Sequence, residues 1–216
     1  MVKESDMSSS FRIKTFHGLQ DGFEDPADFI EDIETLVERD YFREESVLRI
    51  AIRKATPEER QSYDEEIKFL EEKKNRDCRV LFRQNVSGRA EKWYKYRSRE
   101  VRQDWTKLKA RCLECYQIPE EDPATAIRRM EAKYDTIKQG KDESITAFLE
   151  RADDFQAQYG SQKPNFGIKV IRGLHETGKR ESLIFCLRQK NRMDYAYARE
   201  LIIKSYSGVE NLSTFH

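Results

Sequence analysis

Two cysteines, Cys112 and Cys115, form a C-x-x-C pair, a spacing typical of zinc sites and of thiol redox chemistry. A structural zinc site needs four ligands, and no second C-x-x-C or H-x-x-x-H pattern accompanies this pair. The histidines are scattered along the chain at His17, His175 and His216. Both cysteines also fall on the apolar stripe of a predicted helix. The pattern therefore favours two reduced, buried thiols that pack as small hydrophobic groups.

Other signatures of catalysis are missing from the sequence. It contains no G-x-x-x-x-G-K-[ST], G-x-G-x-x-G or H-E-x-x-H pattern and no D-T-G or D-S-G triplet. Carboxylates are numerous, but on faces this acidic their proximity says little about acid–base chemistry. We therefore expect that the protein is not an enzyme and that it uses no metal and no cofactor.

Composition limits the fold class and the environment. Charged residues make up 37% of the 216 positions and hydrophobic residues 38%, which is sufficient for a folded core, and the low Gly and Pro content favours helices. No apolar run approaches the length of a bilayer span, and the N-terminus lacks the apolar stretch of a signal peptide. We expect an all-α, soluble, intracellular protein that contacts no membrane.

The charges are unevenly distributed although they sum to zero. Residues 21–45 carry eleven Asp or Glu, and residues 89–111 carry nine Lys or Arg. Solvated faces are the simplest interpretation. The alternatives are a surface on which another copy pairs acidic with basic residues, and RNA binding by residues 89–111. The aromatic residues near that basic segment are expected in the core: Trp93, Tyr94, Tyr96 and Trp105.

The first half of the chain carries several helix signals. Residues 1–10 are polar, typical of a flexible tail, and residues 11–16 alternate Phe11, Ile13 and Thr15 like a short extended segment. Cap signals predict helix starts at Asp25-Pro26, Thr56-Pro57 and Asp104. We expect helices to end near Asp40 and near 73–75, a separate short helix through Val47–Ala55, and an interruption at Ser87-Gly88.

The segment IPEEDP, residues 118–123, contains two prolines and three acids and is the best linker in the chain. It predicts a boundary between a domain at 11–117 and a domain at 124–206. In the second domain Asp122-Pro123 starts the first helix. Further helices are expected at about 164–174, 177–190 and 194–206, followed by a tail at 207–216.

A turn in the second domain carries polar residues that helix caps do not fully explain. In IKQGKDESITAFLERA, Gly140 is expected to end one helix in the left-handed conformation, and Asp142 or Glu143 to cap the next. Gln139 can donate and accept hydrogen bonds in the turn. Arg151, two turns along the following helix, can reach back with five donors.

This segment, residues 137–152, fits the pattern I-x-Q-G-x-x-E-x-x-x-x-F-x-x-R at Ile137, Gln139, Gly140, Glu143, Phe148 and Arg151. It resembles the major homology region of retroviral and retrotransposon Gag capsid proteins. FHGLQDGFEDPADFIEDIE resembles the opening of capsids from gypsy-type long-terminal-repeat retrotransposons. GRAEKWYKY followed by DWTKLKARCLECY is similar to that family's A-x-x-W and W-x-x-L pair, carried here by Ala90, Trp93, Trp105 and Leu108.

The resemblance covers roughly residues 11–206 and implies a capsid N-terminal domain and a capsid C-terminal domain, both helical. It implies that Gln139, Glu143 and Arg151 form a hydrogen-bonded network and that Phe148 lies in the C-terminal core. It also implies that N-terminal domains gather into rings of five or six and that C-terminal domains pair between rings. The implied function is a structural Gag capsid protein that self-assembles in the cytoplasm into virus-like particles packaging retrotransposon RNA.

Two features depart from the family pattern. A complete Gag continues into a nucleocapsid segment with a zinc knuckle, which this sequence does not contain. The chain is then either a processed or trimmed capsid piece of an element, or a domesticated Gag-derived host protein that acts as an oligomerising interaction module. The charged stretch at residues 56–75 is also longer than the core pattern requires.

Overall fold

A computed structural model of the protein describes residues 12–19, 24–117 and 121–210. Within those ranges the regular structure is helical, with ten α-helices, so the all-α prediction is confirmed. In the same ranges, no helix combines the length and the apolar character needed to cross a membrane. The tail predicted at 1–10 and Phe11 of the predicted extended segment lie outside the described residues.

The chain divides into two compact units, Met1–Gln117 and Ile118–His216. Three residues of the predicted linker, 118–120, lie outside the described part of the chain. Each unit has its own helices and buried residues.

The first unit contains five helices in its described residues: α1 (Pro26–Lys54), α2 (Pro57–Asn85), α3 (Gly88–Tyr96), α4 (Arg99–Gln103) and α5 (Trp105–Tyr116). The predicted starts of α1, α2 and α5 are confirmed. Asp25 accepts a hydrogen bond from the N–H of Ala27, and the Asp104 carboxylate caps α5. Thr56 and Glu59 form the predicted capping box. These caps satisfy N–H groups that the first helical turn leaves without partners.

Two predicted helix ends are wrong. The helix from Asp25 does not stop near Asp40, and Val47–Ala55 is not a separate helix, because α1 continues to Lys54. Likewise α2 passes through residues 73–75 without a break. Neither stretch contains Gly or Pro, so nothing in the backbone chemistry ends the helix there. The interruption at Ser87-Gly88 is confirmed, and Gly88 adopts a positive φ of 57° that favours glycine.

The segment before α1 packs on the first unit in an extended conformation. Phe16 donates its N–H to the carbonyl of Asn85 (2.8 Å) and accepts from the N–H of Ser87 (2.9 Å). Ile13 and Phe16 are buried, whereas Thr15 is exposed. The predicted alternation is therefore wrong in its detail, because the inward positions are three residues apart.

The cysteines of the C-x-x-C pair are buried on α5, as predicted for thiols that pack as hydrophobic groups. Burial raises the pKa of the Cys112 thiol far above its usual range, and burial also raises the pKa of Cys78 to about 12. A thiol with a raised pKa is a poor source of thiolate. Among the described residues no group of His, Cys, Asp and Glu is arranged to hold a metal ion.

The second unit contains five α-helices in its described residues: α6 (Pro123–Asp135), α7 (Ile145–Tyr159), α8 (Phe166–Gly173), α9 (Thr177–Gln189) and α10 (Tyr195–Glu210). A 3-10 turn at Gly160–Gln162 follows α7. The predicted start after Asp122 and the three later helices are confirmed. The predicted tail from 207 is wrong at its start, because α10 continues to Glu210; residues 211–216 lie outside the described residues. α7 and α10 place Phe148, Ala152 and Ile202 in the centre of the core.

Candidate functional site: the turn between α6 and α7

The turn between α6 and α7 is built from caps that differ from the predicted ones. α6 ends at Asp135, and Gly140, four residues after the cap residue Thr136, has no left-handed backbone conformation. The N-cap of α7 is Ser144, whose hydroxyl accepts from the N–H of Ala147 at 3.1 Å. The predicted cap roles of Gly140, Asp142 and Glu143 are therefore wrong. Serine takes the cap position because its short side chain reaches the first free N–H groups.

Glu143 instead bonds back to Gly140, at the start of the turn. Its carboxylate accepts a hydrogen bond from the N–H of Gly140 at 2.9 Å, and its own N–H donates to the carbonyl of Gly140 at 3.3 Å. The two bonds run in opposite directions between the same two residues. They fix the backbone of the turn just before α7 begins.

Arg151 joins α7 to both sides of this turn. Its Nε and Nη2 donate to the two carboxylate oxygens of Glu143, each at 2.8 Å. Its Nη1 donates to the carbonyl of Thr136 at 3.1 Å, and Nη2 also donates to the carbonyl of Lys138 at 2.9 Å. The planar guanidinium is suited to this arrangement because its donors diverge at fixed angles. One side chain thus satisfies a carboxylate and two backbone carbonyls.

The charges of the pair reinforce each other. The hydrogen bond from Arg151 is the main reason that the pKa of Glu143 is lowered, and the hydrogen bond from Gly140 acts in the same direction. The same pairing raises the pKa of Arg151. The Glu143 side chain is 19% exposed and that of Arg151 is 40% exposed, so water partly screens the pair.

Gln139 ties the turn to the connection between α8 and α9. Its backbone N–H donates to the carbonyl of Gly173 at 2.7 Å, and its side-chain oxygen accepts from the N–H of His175 at 2.9 Å. Its side-chain nitrogen donates to the carbonyl of Glu143 at 2.9 Å. All three polar groups therefore bond to backbone, and two of the bonds join segments far apart in the sequence.

Ile137 and Phe148 anchor the turn in the hydrophobic core. Ile137 is 3% exposed and Phe148 is fully buried. Gly173 packs directly against them: a Cβ at this position would lie 2.6 Å from the carbonyl oxygen of Ile137 and 3.2 Å from Phe148 Cζ. The Arg151 guanidinium lies 5.8 Å from the centre of the Phe148 ring. The polar network of the turn is therefore in direct contact with the hydrophobic core of the second unit.

Sequence reasoning missed part of this site and a second polar network beside it. Gly173 and His175 carried no local signal, since their partners lie 34 or more residues away. Asp153, whose side chain is fully buried, accepts two hydrogen bonds from Arg199 and one from Tyr195. The acid lies on the apolar stripe of α7, and that position is the one signal that could have singled it out.

The other residues of the family pattern lie in the core of the first unit. Trp93 is 1% exposed, Leu108 is fully buried and Trp105 is 5% exposed. The indole N–H of Trp105 donates to Glu34 at 2.9 Å, and Lys109 pairs with the same carboxylate at 2.7 Å. One contact between the acidic and basic segments is therefore made inside the chain.

The polar groups of the turn bond within the second unit. The hydrogen-bonding groups of Gln139, Glu143 and Arg151 are directed at one another and at backbone groups. No protein family model, no curated protein and no solved structure matches the chain. The sequence pattern and this geometry therefore carry the functional argument.

Proposed function

We propose that this chain is a structural capsid protein of Gag type, similar to those of gypsy-type long-terminal-repeat retrotransposons, that self-assembles into virus-like particles packaging RNA. One observation carries the proposal. The polar residues of the pattern at 137–152 meet in a single network, in which Arg151 bonds Glu143 and two backbone carbonyls while Gln139 bonds the connection after α8. Residues of the pattern that bond one another in the structure support the capsid proposal better than a match of the sequence pattern alone.

A capsid role accounts for residues that an enzyme would leave unexplained. Shell proteins need rigid units that keep their shape while many weak contacts act together. A turn fixed by charge-assisted hydrogen bonds supplies that rigidity at a point where α6, α7 and the connection between α8 and α9 meet. Cys112, the residue most suggestive of chemistry, is buried with a raised pKa, which disfavours nucleophilic catalysis.

The partners follow from this role. The protein itself is the main partner, through rings of five or six made by the first unit and pairs made by the second. RNA is enclosed in the particle, and the particles form in the cytoplasm. Direct RNA binding by residues 89–111 receives less support, because Lys95, Lys107 and Lys109 of that segment form ion pairs with Glu91, Glu100 and Glu34.

The proposal is tested by sedimentation of the purified chain with and without RNA, over a range of salt concentrations. We expect fast-sedimenting particles that protect RNA from nuclease, and an assembly yield that changes with ionic strength because the contacts are rich in charge. A chain that remains monomeric at every concentration would refute the capsid proposal. That result would favour the domesticated interaction module.

A further inference from the structure

α1 and α2 continue past the core of the first unit as a pair of helices. We call residues 38–69 the arm: it begins after Val37, the last buried residue of α1, and ends before Leu70, the first buried residue of α2. Every residue of the arm is described, and none is buried. At the usual rise per residue, the part of α1 in the arm is about 25 Å long and the part of α2 is about 20 Å long. A helix pair without a core gains little from packing, so a surface that covers the arm would stabilise it.

Contacts at the base of the arm fix the register of its two helices. The hydroxyl of Tyr41 donates to Asp77 at 2.5 Å, and Lys74 forms an ion pair with Glu45. The helices run antiparallel, so residues whose numbers sum to about 119 lie at the same height. These contacts occupy the inner faces and leave the opposite sides of both helices open.

The outer side of α1 is apolar and positively charged. At about 100° of rotation per residue, the side of the helix turned away from Tyr41 and Glu45 carries five exposed residues between positions 43 and 54. We call it the basic face: Arg43, Val47, Ile50, Arg53 and Lys54. Val47 is 62% exposed and Ile50 is 53% exposed, so this face presents bare aliphatic surface between its cations.

The outer side of α2 is apolar and negatively charged. The side turned away from Lys74 also collects five exposed residues at helical spacing. We call it the acidic face: Glu58, Ser62, Glu65 and Phe69 in the arm, and Glu72 at its base. Phe69 is 59% exposed on this face, and the ammonium of Lys73 lies 4.8 Å from the centre of its ring.

The two faces match in height as well as in charge. By the register set by Glu45 and Lys74, Ile50 lies level with Phe69, and Lys54 lies level with Glu65. When two arms stand side by side in the same orientation, the basic face of one brings its aliphatic residues to the aromatic ring of the other and its cations to the carboxylates. Charge complementarity of this kind selects the partner, and apolar contact supplies affinity.

We propose that the basic face of one arm docks on the acidic face of the arm of a second copy of this chain. Each copy then uses one face on each side, so the contact is head to tail and can repeat into a ring or a filament. This inference rests on the proposed assembly function and names the surface that carries it. A nucleic acid would account for the basic face alone and leaves the acidic face unexplained.

Charge reversal in the full chain tests the contact. The basic-face variant carries Arg53→Glu and Lys54→Glu, and the acidic-face variant carries Glu65→Lys and Glu72→Lys. Sedimentation velocity should show that each variant alone associates at least about tenfold more weakly than the wild type. An equimolar mixture of the two variants should regain association, because each reversed face then meets its complement. Circular dichroism verifies that both variants remain helical.

A matched control for the basic-face variant is Arg12→Glu with Lys14→Glu, which makes the same change in charge on exposed residues of the first unit outside the arm and outside residues 89–111. It should associate like the wild type. The contact is refuted if either face variant associates normally, or if folded variants fail to regain association on mixing. It is also refuted if the basic-face variant loses only RNA binding.

Electron microscopy of the same variants separates this contact from the capsid proposal. Hollow particles that persist in both face variants would refute the arm contact and leave the capsid proposal standing. Oligomers that depend on the arm without any hollow particles would do the reverse. A wild-type chain that does not associate at all would overturn both.

Discussion

Arg151→Ala removes the side chain that holds the turn before α7. The change deletes both bonds to the Glu143 carboxylate and the bonds to the carbonyls of Thr136 and Lys138. Alanine is a good helix former, so α7 itself should persist. The substitution therefore isolates the effect of the network on the second unit.

The expected magnitude follows from burial and from the number of bonds. Hydrogen bonds to charged groups contribute about 1.5–3 kcal/mol when they are buried, whereas exposed ion pairs contribute less than about 1 kcal/mol. Arg151 is 40% exposed and Glu143 is 19% exposed, so water can replace some of the lost bonds. We expect the second unit to lose roughly 1–3 kcal/mol of unfolding free energy. For a unit of this size each kcal/mol lowers Tm by about 4–8 °C.

Tryptophan fluorescence allows the two units of the full chain to be followed separately. Both tryptophans, Trp93 and Trp105, belong to the first unit. Thermal unfolding followed by far-ultraviolet circular dichroism should show a transition at lower temperature in Arg151→Ala. The transition followed by tryptophan fluorescence should stay at the wild-type temperature, because no residue of the turn belongs to the first unit.

Two further variants sharpen this test. Arg151→Lys should recover only part of the stability, since an ammonium group cannot reproduce the paired bonds to Glu143. Lys204→Ala is the control: it removes an exposed ion pair with Glu200 on α10 and should leave Tm unchanged. An unchanged Tm in Arg151→Ala, with normal assembly, would show that the network does not hold the turn.

Three other results are expected. The pKa of Glu143 lies below its usual value of 4.5, so its contribution to stability is present at neutral pH and is lost as pH falls below 4.5. Urea unfolding should therefore show that the difference between Glu143→Gln and wild type shrinks toward pH 3, and a constant difference would contradict this. Gly173→Ala should lower Tm by several degrees, because its Cβ would clash with the carbonyl of Ile137; a wild-type Tm would contradict the close contact. Cys112 should resist a thiol reagent in the native chain and react with it in urea, because the thiol is buried. Mass spectrometry detects the label, and rapid labelling of Cys112 without denaturant would contradict its burial.

Helix starts could be predicted from the sequence because caps are local. Asp25, Thr56, Asp104 and Asp122 each bond N–H groups within three residues, so the signal lies within one short stretch. The ends of α1 and α2 are harder to predict than their starts. The charged middles of α1 and α2 carry no stop signal, and whether a charged stretch remains helical depends on pairs such as Glu45 with Lys74, which no local pattern reveals.

In the site, too, local features could be predicted from the sequence and distant partners could not. The spacing of Gln139, Glu143 and Arg151 can be recognised in the sequence because it is short: Glu143 follows Gln139 by four residues, and Arg151 follows Glu143 by eight. The acceptor at Gly173 and the donor at His175 could not be predicted, since they reach the turn through the packing of α8 in the core. Gly140 shows the opposite error: a glycine after a helix suggests a left-handed cap, yet this one bonds the Glu143 carboxylate in an ordinary backbone conformation.

Electron microscopy of the purified chain tests the central claim most directly. Negatively stained samples should be imaged over a series of protein and salt concentrations, with and without added RNA. A self-assembling capsid protein gives discrete hollow particles of uniform size, whose number depends on ionic strength. Fields without particles under every condition, from a chain that circular dichroism shows to be folded, would contradict the account.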